Sequence, residues 1–387
     1  MRLIKNLLGK LIRLLYRLVY RLIPCQNDTV LFISFHGRGY SDNPMALHKY
    51  MSTHLKYQKY RCIFAIKNHK EKNIEIENAK IIEYFSIPYF YYLARSKYWI
   101  VNCKLPKYVL KKPNQIYLQT WHGTPLKKLA HDIEVPEGTT FYRSEMTVEQ
   151  MRSTYDNDVS KYNYMISPSA FTTEVFQSAF KIDRARLIET GYPRNDILSN
   201  YKEHDLDVIK SKLKIPKDKK VILYAPTFRG NIYQGMKSVD FDAKKLLDQL
   251  GDQYVLVYKL HPLLLDKPIT DDQRIINLNH EDTHDLFTIS DMLISDFSSI
   301  IFDYSFFNKP MYFFVPDLDE YLSTLGCFVD YQKIMPGAIC LNENQLADAI
   351  IANKQYDIEA FSKIFFKYHD GKNIERVVEL IKKVRHE

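Results

Sequence analysis

The sequence predicts an α/β protein of two parallel-sheet domains, and three observations carry that reading. Short apolar runs recur between helix-length spacers at 30–35, 61–66, 98–102, 116–120 and 164–167, and again at 221–224, 254–260, 274–278, 291–295 and 311–315. Strands that alternate with helices pair in parallel, with helices on both faces. Between the two series lies 199–220, polar, lysine-rich and without a strand pattern. Finally, 387 residues exceed what one hydrophobic core normally fills. The expected division is a helix at 1–24, a first domain at 25–205 and a second at 206–387.

The first element is amphipathic. Leu3, Leu7, Leu11, Leu14, Leu18 and Leu22 fall on one helical face, flanked by Ile4, Leu8, Leu15 and Val19. Arg2, Lys5, Lys10, Arg13, Arg17 and Arg21 occupy the opposite arc and precede Asp28, the first acidic residue. A basic residue about every fourth position is incompatible with the roughly 20 uncharged residues of a spanning helix. The pattern suits a helix lying in the membrane plane, leucines at the acyl boundary and cations among anionic headgroups, each worth about 1 kcal/mol. A cleavable signal peptide lacks support, having neither an uninterrupted apolar stretch nor a small-residue cleavage site. A helix packed on the protein's own core is the remaining alternative.

The chain holds 54 basic and 46 acidic residues, a net charge of +8 to which those six N-terminal cations contribute most. The nearly neutral remainder argues against a nucleic-acid binder. With 46% hydrophobic and 14% aromatic residues the chain has ample material to fold, which excludes a disordered protein. Cys25, Cys62, Cys103, Cys327 and Cys340 are odd in number and widely spaced, which fits a reducing compartment without a disulfide framework.

Several strands run into proline, at Ser167-Pro168, Ala225-Pro226, His261-Pro262 and Val315-Pro316. The residue before proline is held extended, so each ends its strand at the carboxyl edge, where open α/β sheets bind ligands. No dinucleotide or P-loop glycine pattern is present.

Four of these edges carry candidate chemistry. The run 116–120 delivers Trp121-His122-Gly123-Thr124-Pro125. Gly123 permits close approach of a ligand, and His122 can act as a base near neutral pH or serve only structurally. The run 254–260 delivers Lys259 and His261, which project to the same side and suit an anionic leaving group; a surface lysine beside a capping histidine is the alternative. After 291–295 come Asp296-Phe297-Ser298-Ser299 and an apolar helical pattern, either a phosphate-binding helix start or a simple cap. Thr227 and Arg229 follow 221–224, and the guanidinium could fork phosphate oxygens. His280-Glu281-Asp282-Thr283-His284 matches the HExxH spacing of zinc proteases, but it directly follows a strand, and Asp282 or Thr283 reads better as an N-cap.

Together these segments resemble the CDP-glycerol:poly(glycerophosphate) glycerophosphotransferase family. The resemblance rests on Ser34-Phe35-His36-Gly37 with Tyr40 to Pro44, Leu118 to Lys128, Glu189 to Asp196, Tyr224 to Arg229, Lys259 to Pro262, and Ile289 through Ser299 to Tyr304. It implies a GT-B fold, with two Rossmann-like domains facing across a cleft, the acceptor on the N-terminal side and CDP-glycerol on the C-terminal side. It further implies a peripheral enzyme on the cytoplasmic face of a Gram-positive membrane, acting in teichoic acid biosynthesis on an undecaprenyl-type lipid-linked acceptor. His122 and His261 match the family's essential histidines. Arg229, Ser298 and Ser299 match donor-phosphate contacts, and Asp303, less closely, a polar contact in the same site. Lys259, Asp296 and Thr227 join the donor side; Trp121, Gly123 and Thr124 are acceptor-side candidates. Phe228 and Phe297 stand where the family often has Trp and Tyr.

The implied reaction is in-line attack by an acceptor hydroxyl on the glycerol-bearing phosphorus, with CMP leaving. His122 would be the base, while His261 with Lys259 would stabilise or protonate the leaving phosphate. No metal or other cofactor is expected, since no carboxylate cluster resembles a metal site. A homo-oligomer is left open. A CDP-ribitol donor, or a nucleotide sugar, would share much of this pattern, and a silent membrane-surface scaffold would be a different class of protein. The length, one catalytic unit plus a helix, suggests addition of one or a few units.

Overall fold

The computed structural model describes residues 2–135, 138–139, 146–200, 205–231, 235–237, 239–260 and 272–386. It has two compact units, each built on one parallel sheet. The first comprises 1–122, 152–196 and 372–387; the second comprises 123–151 and 197–371.

The sheet of the first unit contains β1 (Gln26–Ile33), β2 (Arg61–Ile66), β3 (Ala79–Glu83), β4 (Ser96–Val101), β5 (Ile116–Gln119), β6 (Tyr164–Ser167) and β7 (Leu187–Glu189). Its order is β3-β2-β1-β4-β5-β6-β7, parallel throughout. The central strands read as continuous apolar runs because both faces are covered: Leu31, Phe32, Ile33, Phe64, Trp99 and Val101 are fully buried. Burial of each such side chain stabilises the sheet by about 1.5–3 kcal/mol.

In the second unit β8 (Lys220–Tyr224), β11 (Tyr254–Tyr258), β12 (Ile275–Asn277), β13 (Met292–Ser295), β14 (Met311–Phe314) and β15 (Gly337–Cys340) form a parallel sheet of order β12-β11-β8-β13-β14-β15. The short strands β9 (Arg229–Asn231) and β10 (Gly235–Lys237) pair antiparallel apart from it. All ten expected runs contain a strand. Beyond them the structure has β3, β7, β15 and the β9-β10 hairpin. These are three to five residues long and three lie at sheet edges, so their apolar patterns are short or half-polar.

The division also differs from the expected 205/206 boundary. The first unit ends at Asp196 and takes back the last helix, Asn373–His386. Asp196 accepts the backbone N–H groups of Asn373 and Ile374, both at 2.8 Å. A carboxylate on the first N–H groups of a helix offsets its dipole, and this long-range cap has no local sequence signal. Gly191 makes the docking possible: at φ +79°, a Cβ there would lie 2.2 Å from the Asn373 amide oxygen.

The N-terminal helix spans Arg2–Leu22. Among its described side chains, Tyr16 and Tyr20 dock it on the rest of the first unit. Tyr16 is buried, donates to the Leu110 oxygen at 2.8 Å and packs 5.2 Å from Phe90; Tyr20 donates to the Lys111 oxygen at 3.0 Å. Leu11, Leu14, Leu15, Leu18 and Leu22 are exposed by 49–81%. Lys10, Arg13, Arg17 and Arg21 are exposed as well, with Arg13 over the Tyr108 ring; the side chains of Arg2 and Lys5 lie outside the described ones. Among the described residues no helix is long and apolar enough to cross a membrane.

Candidate active site

The first sheet reverses its order between β1 and β4, the point at which open α/β sheets hold ligands. Beside it β5 delivers Trp121 and His122. His122 Nδ1 lies 2.6 Å from the backbone oxygen of Asn102, the residue after β4. A carbonyl oxygen only accepts, so Nδ1 carries the hydrogen and Nε2 the basic lone pair. The imidazole stacks on Trp121, with centroids 4.4 Å apart, and meets Phe35 edge-on at 5.5 Å.

The backbone around this ring is held in unusual conformations. Trp121 has φ 51°, and Phe35, His36 and Asp42 also have positive φ. Non-glycine residues in this region cost about 1 kcal/mol or more and persist only where surrounding contacts impose them. Asn43 supplies part of that force: its Nδ2 donates to the oxygens of Thr120 and Trp121 at 3.3 and 3.1 Å, while its Oδ1 accepts from the Arg194 N–H. Arg194 Nη1 donates to Asp42 at 2.6 Å and to the His122 oxygen at 2.8 Å. Asn102 completes the frame, accepting from the Phe35 N–H and donating to Asp42. Sequence reasoning missed Asn102, and Asp42, Asn43 and Arg194 appeared in it without roles. The signal available was position, since Asn102 directly follows a strand next to the switch point.

The second sheet reverses between β8 and β13. There Asp296, 1% exposed, accepts from the Thr227 N–H at 2.9 Å, the Thr227 hydroxyl at 2.8 Å and Arg229 Nη1 at 2.8 Å. Asp317 takes the other side of the guanidinium, accepting from Nε at 2.6 Å and Nη2 at 3.0 Å. The Arg229 plane lies 4.6 Å from the Tyr321 ring, which is stacked on Phe297 at 3.8 Å. Phe297 thus acts as a buried packing surface, a role that needs no hydroxyl. Asp317 and Tyr321 were not anticipated; Asp317 follows the strand-end proline Pro316, which was the available cue.

The remaining predicted residues fall as follows. Ser299 occupies the N-cap position of helix Ile300–Tyr304 without a side-chain cap, Ser298 Oγ accepts weakly from the Ile300 N–H at 3.4 Å, and Asp303 is half-buried on that helix. Lys259 Nζ donates to the backbone oxygens of Asn279 at 2.8 Å and Glu281 at 2.5 Å, and burial lowers its pKa. It anchors the chain after β12. His261 lies outside the described residues. Thr124 is buried, its hydroxyl without a hydrogen-bond partner among the described residues, and Gly123 is buried beside it. Asp282 caps helix Thr283–Ile289 by accepting from the His284 N–H at 2.7 Å, one of the two N-caps the sequence offered. Among the described residues no cluster of His, Cys, Asp or Glu could hold a metal.

The two parallel sheets, each reversing its strand order at an edge that carries polar side chains, define an α/β protein of the doubly wound class. Residues 14–383 match the family described as CDP-glycerol:poly(glycerophosphate) glycerophosphotransferase, and the chain belongs to that family. It is 36% identical to a teichoic acid glycerol-phosphate transferase of Staphylococcus aureus over 402 aligned positions, covering 98% of this chain and 100% of that protein. It is 37% identical to a teichoic acid poly(glycerol phosphate) polymerase of Staphylococcus epidermidis, covering 92% of this chain but only half of that longer protein. The solved structure of the wall teichoic acid polymerase TagF superposes with a TM-score of 0.87 at 34% identity, covering 100% of this chain and 96% of that one.

Proposed function

We propose that this protein transfers glycerol phosphate from CDP-glycerol to a hydroxyl of a lipid-linked teichoic acid acceptor, releasing CMP and adding one or a few units. The observation that carries the chemical step is the Nδ1–H of His122 bound to the Asn102 oxygen, which leaves Nε2 as the base. Nε2 takes the proton of the acceptor hydroxyl. The oxygen bonds to the glycerol-bearing phosphorus as the bond to the CMP phosphate oxygen breaks. His261 protonates or hydrogen-bonds that departing phosphate.

Arg229 and the Ser298–Ser299 turn offset charge on the phosphoryl oxygens, the main contribution a protein makes to this reaction. Arg229 is already paired with Asp296 and Asp317, so the donor phosphate must compete with a carboxylate for its outer edge. Asp317, at 26% exposure, is the exchangeable partner; buried Asp296 is the permanent one. Asp303 adds a polar contact on the same side. The exposed leucine face and basic rim of helix Arg2–Leu22 seat the enzyme on the cytoplasmic face of an anionic membrane, where a lipid-linked acceptor resides.

The test is CMP release and product mass from purified protein given CDP-glycerol or CDP-ribitol and a lipid-linked disaccharide, with and without one glycerol phosphate already attached. A gain of one or a few glycerol phosphates, lost in H122A and H261A, is the expected result. Turnover with CDP-ribitol alone would move the donor, and no turnover with either would overturn the reaction.

A further inference from the structure

Four neighbouring strands of the first sheet, in the spatial order β2-β1-β4-β5, each release a basic group at the carboxyl edge: Lys67 after β2, His36 and Arg38 after β1, Lys104 after β4 and His122 after β5. The Lys67 N–H donates to the Gly37 oxygen at 2.7 Å, and the Lys72 ammonium donates to the Arg38 oxygen at 3.0 Å, so the first two loops are joined and a further cation sits on their rim. The His36 N–H contacts Cys103 Sγ at 3.1 Å, which joins them to the loop carrying Lys104.

The acidic groups of this edge are engaged elsewhere. Asp42 is paired with Arg194 and Asn102; Asp158 receives the Leu105 N–H and the hydroxyls of Tyr117 and Tyr162, beside Lys161; Glu83 takes the Asn68 N–H and His69. Among the described residues neither Arg38 nor Lys67 has a carboxylate partner, and Lys104 feels the charge of Asp158 without forming an ion pair with it. Lys104 instead donates to the Thr154 hydroxyl and lies 4.0 Å from the Tyr155 ring centroid. Desolvation first, and then the charges of Lys67, Arg38 and Lys104, hold the half-buried His36 ring neutral. A cluster of cations without direct ion pairs, Arg38 and Lys67 exposed and Lys104 partly buried, at a ligand-binding edge has the electrostatics of an anion site.

We propose that Arg38, Lys67 and Lys104, arranged around His36, form a binding site for a phosphate group of the acceptor, positioning the hydroxyl to be deprotonated by His122. This inference rests on the proposed acceptor chemistry; the donor contacts Arg229, Ser298 and Ser299 are not part of it. The ligand class is a phosphodiester or phosphomonoester anion attached to a polyol. Such a site would make an acceptor already bearing a phosphate at the right distance preferable to a neutral one.

The experiment is calorimetric titration of the full chain with glycerophosphoglycerol, a soluble phosphodiester, beside a separate titration with CDP-glycerol. Arg38 and Lys67 are exposed, so R38A/K67A leaves the core intact. The double variant should bind glycerophosphoglycerol at least tenfold more weakly and with a shallower salt dependence, while its affinity for CDP-glycerol stays within twofold of wild type. Equal affinity of both proteins for the phosphodiester, or none in the wild type, would overturn the site. Vesicles containing phosphatidylglycerol form the second arm: loss of vesicle binding with unchanged phosphodiester binding would make these residues a membrane contact and overturn the acceptor assignment. Phosphodiester binding that depends on Arg38 and Lys67 in a protein that does not turn over CDP-glycerol would keep the site and reject the reaction.

Discussion

His122 donates its Nδ1–H to the backbone oxygen of Asn102 across 2.6 Å, from the end of one strand to the end of its neighbour. The imidazole tautomer is therefore set by the sheet itself, since the acceptor is main chain and no side-chain substitution removes it. Replacing His122 by alanine should lower CMP release by about 10²–10⁴-fold, the range of general-base contributions, without weakening CDP-glycerol binding. Turnover within tenfold of wild type would remove His122 from the proton transfer.

Arg229 is shared between two carboxylates, so the cluster of Arg229, Asp296 and Asp317 carries one positive and two negative charges. D317N removes one competing negative charge and should tighten CDP-glycerol binding by roughly three- to tenfold. R229K keeps the charge but loses the planar fork and should weaken binding by about tenfold. Weaker donor binding by D317N would mean that Asp317 orients Arg229 for the donor and does not compete with it.

Asp296 has a different function from Asp317 although both bond the same guanidinium. It is buried and receives three donors from Thr227 and Arg229. Removing its carboxylate leaves Arg229 with Asp317 alone and takes the buried acceptor from the Thr227 N–H and hydroxyl, at a cost of about 1–3 kcal/mol for each unsatisfied group. D296A should therefore show a lower urea midpoint than D317A. Equal midpoints for the two variants would contradict the assignment.

His36 makes stability pH-dependent. Burial, together with the cations Lys67, Arg38 and Lys104, pushes its pKa down to about 4 from an ordinary 6.5. As the pH falls the unfolded chain binds the proton first, so this contribution to stability is whole above 6.5 and declines between 6.5 and 4. The full loss amounts to about 3 kcal/mol. H36N, which tolerates the left-handed backbone at φ 57°, should flatten unfolding free energy across that window. An unchanged slope would show that His36 is already neutral for another reason or titrates normally.

Membrane attachment is tested on leucines that the body of the protein leaves exposed. L14E/L18E should abolish cosedimentation with anionic vesicles while leaving the thermal unfolding midpoint within a few degrees, because both side chains are more than half exposed. Cosedimentation of the double variant at the wild-type level would reject the helix as the anchor. Raising the salt should weaken binding of the wild type, through screening of Lys10, Arg13, Arg17 and Arg21.

The sequence by itself determined the class of fold, the two strand series, the amphipathic helix, the N-cap at Asp282 and the strand-end positions of His122, Thr227, Arg229 and Lys259. Each of these is written in local periodicity, in proline after a strand or in a motif of a few adjacent residues. Tertiary structure alone decided which carboxylates share Arg229, which backbone oxygen selects the His122 tautomer, that Lys259 is bonded to two main-chain oxygens, and that the last helix returns to the first unit. It also decided that Tyr16 and Tyr20 dock the N-terminal helix and that Leu11, Leu14, Leu15, Leu18 and Leu22 stay exposed. The physical reason is the same in each case. Hydrogen bonds and charge pairs join atoms brought together by strand order, and in a parallel sheet neighbouring strand ends lie tens of residues apart along the chain, so no window of sequence contains both partners.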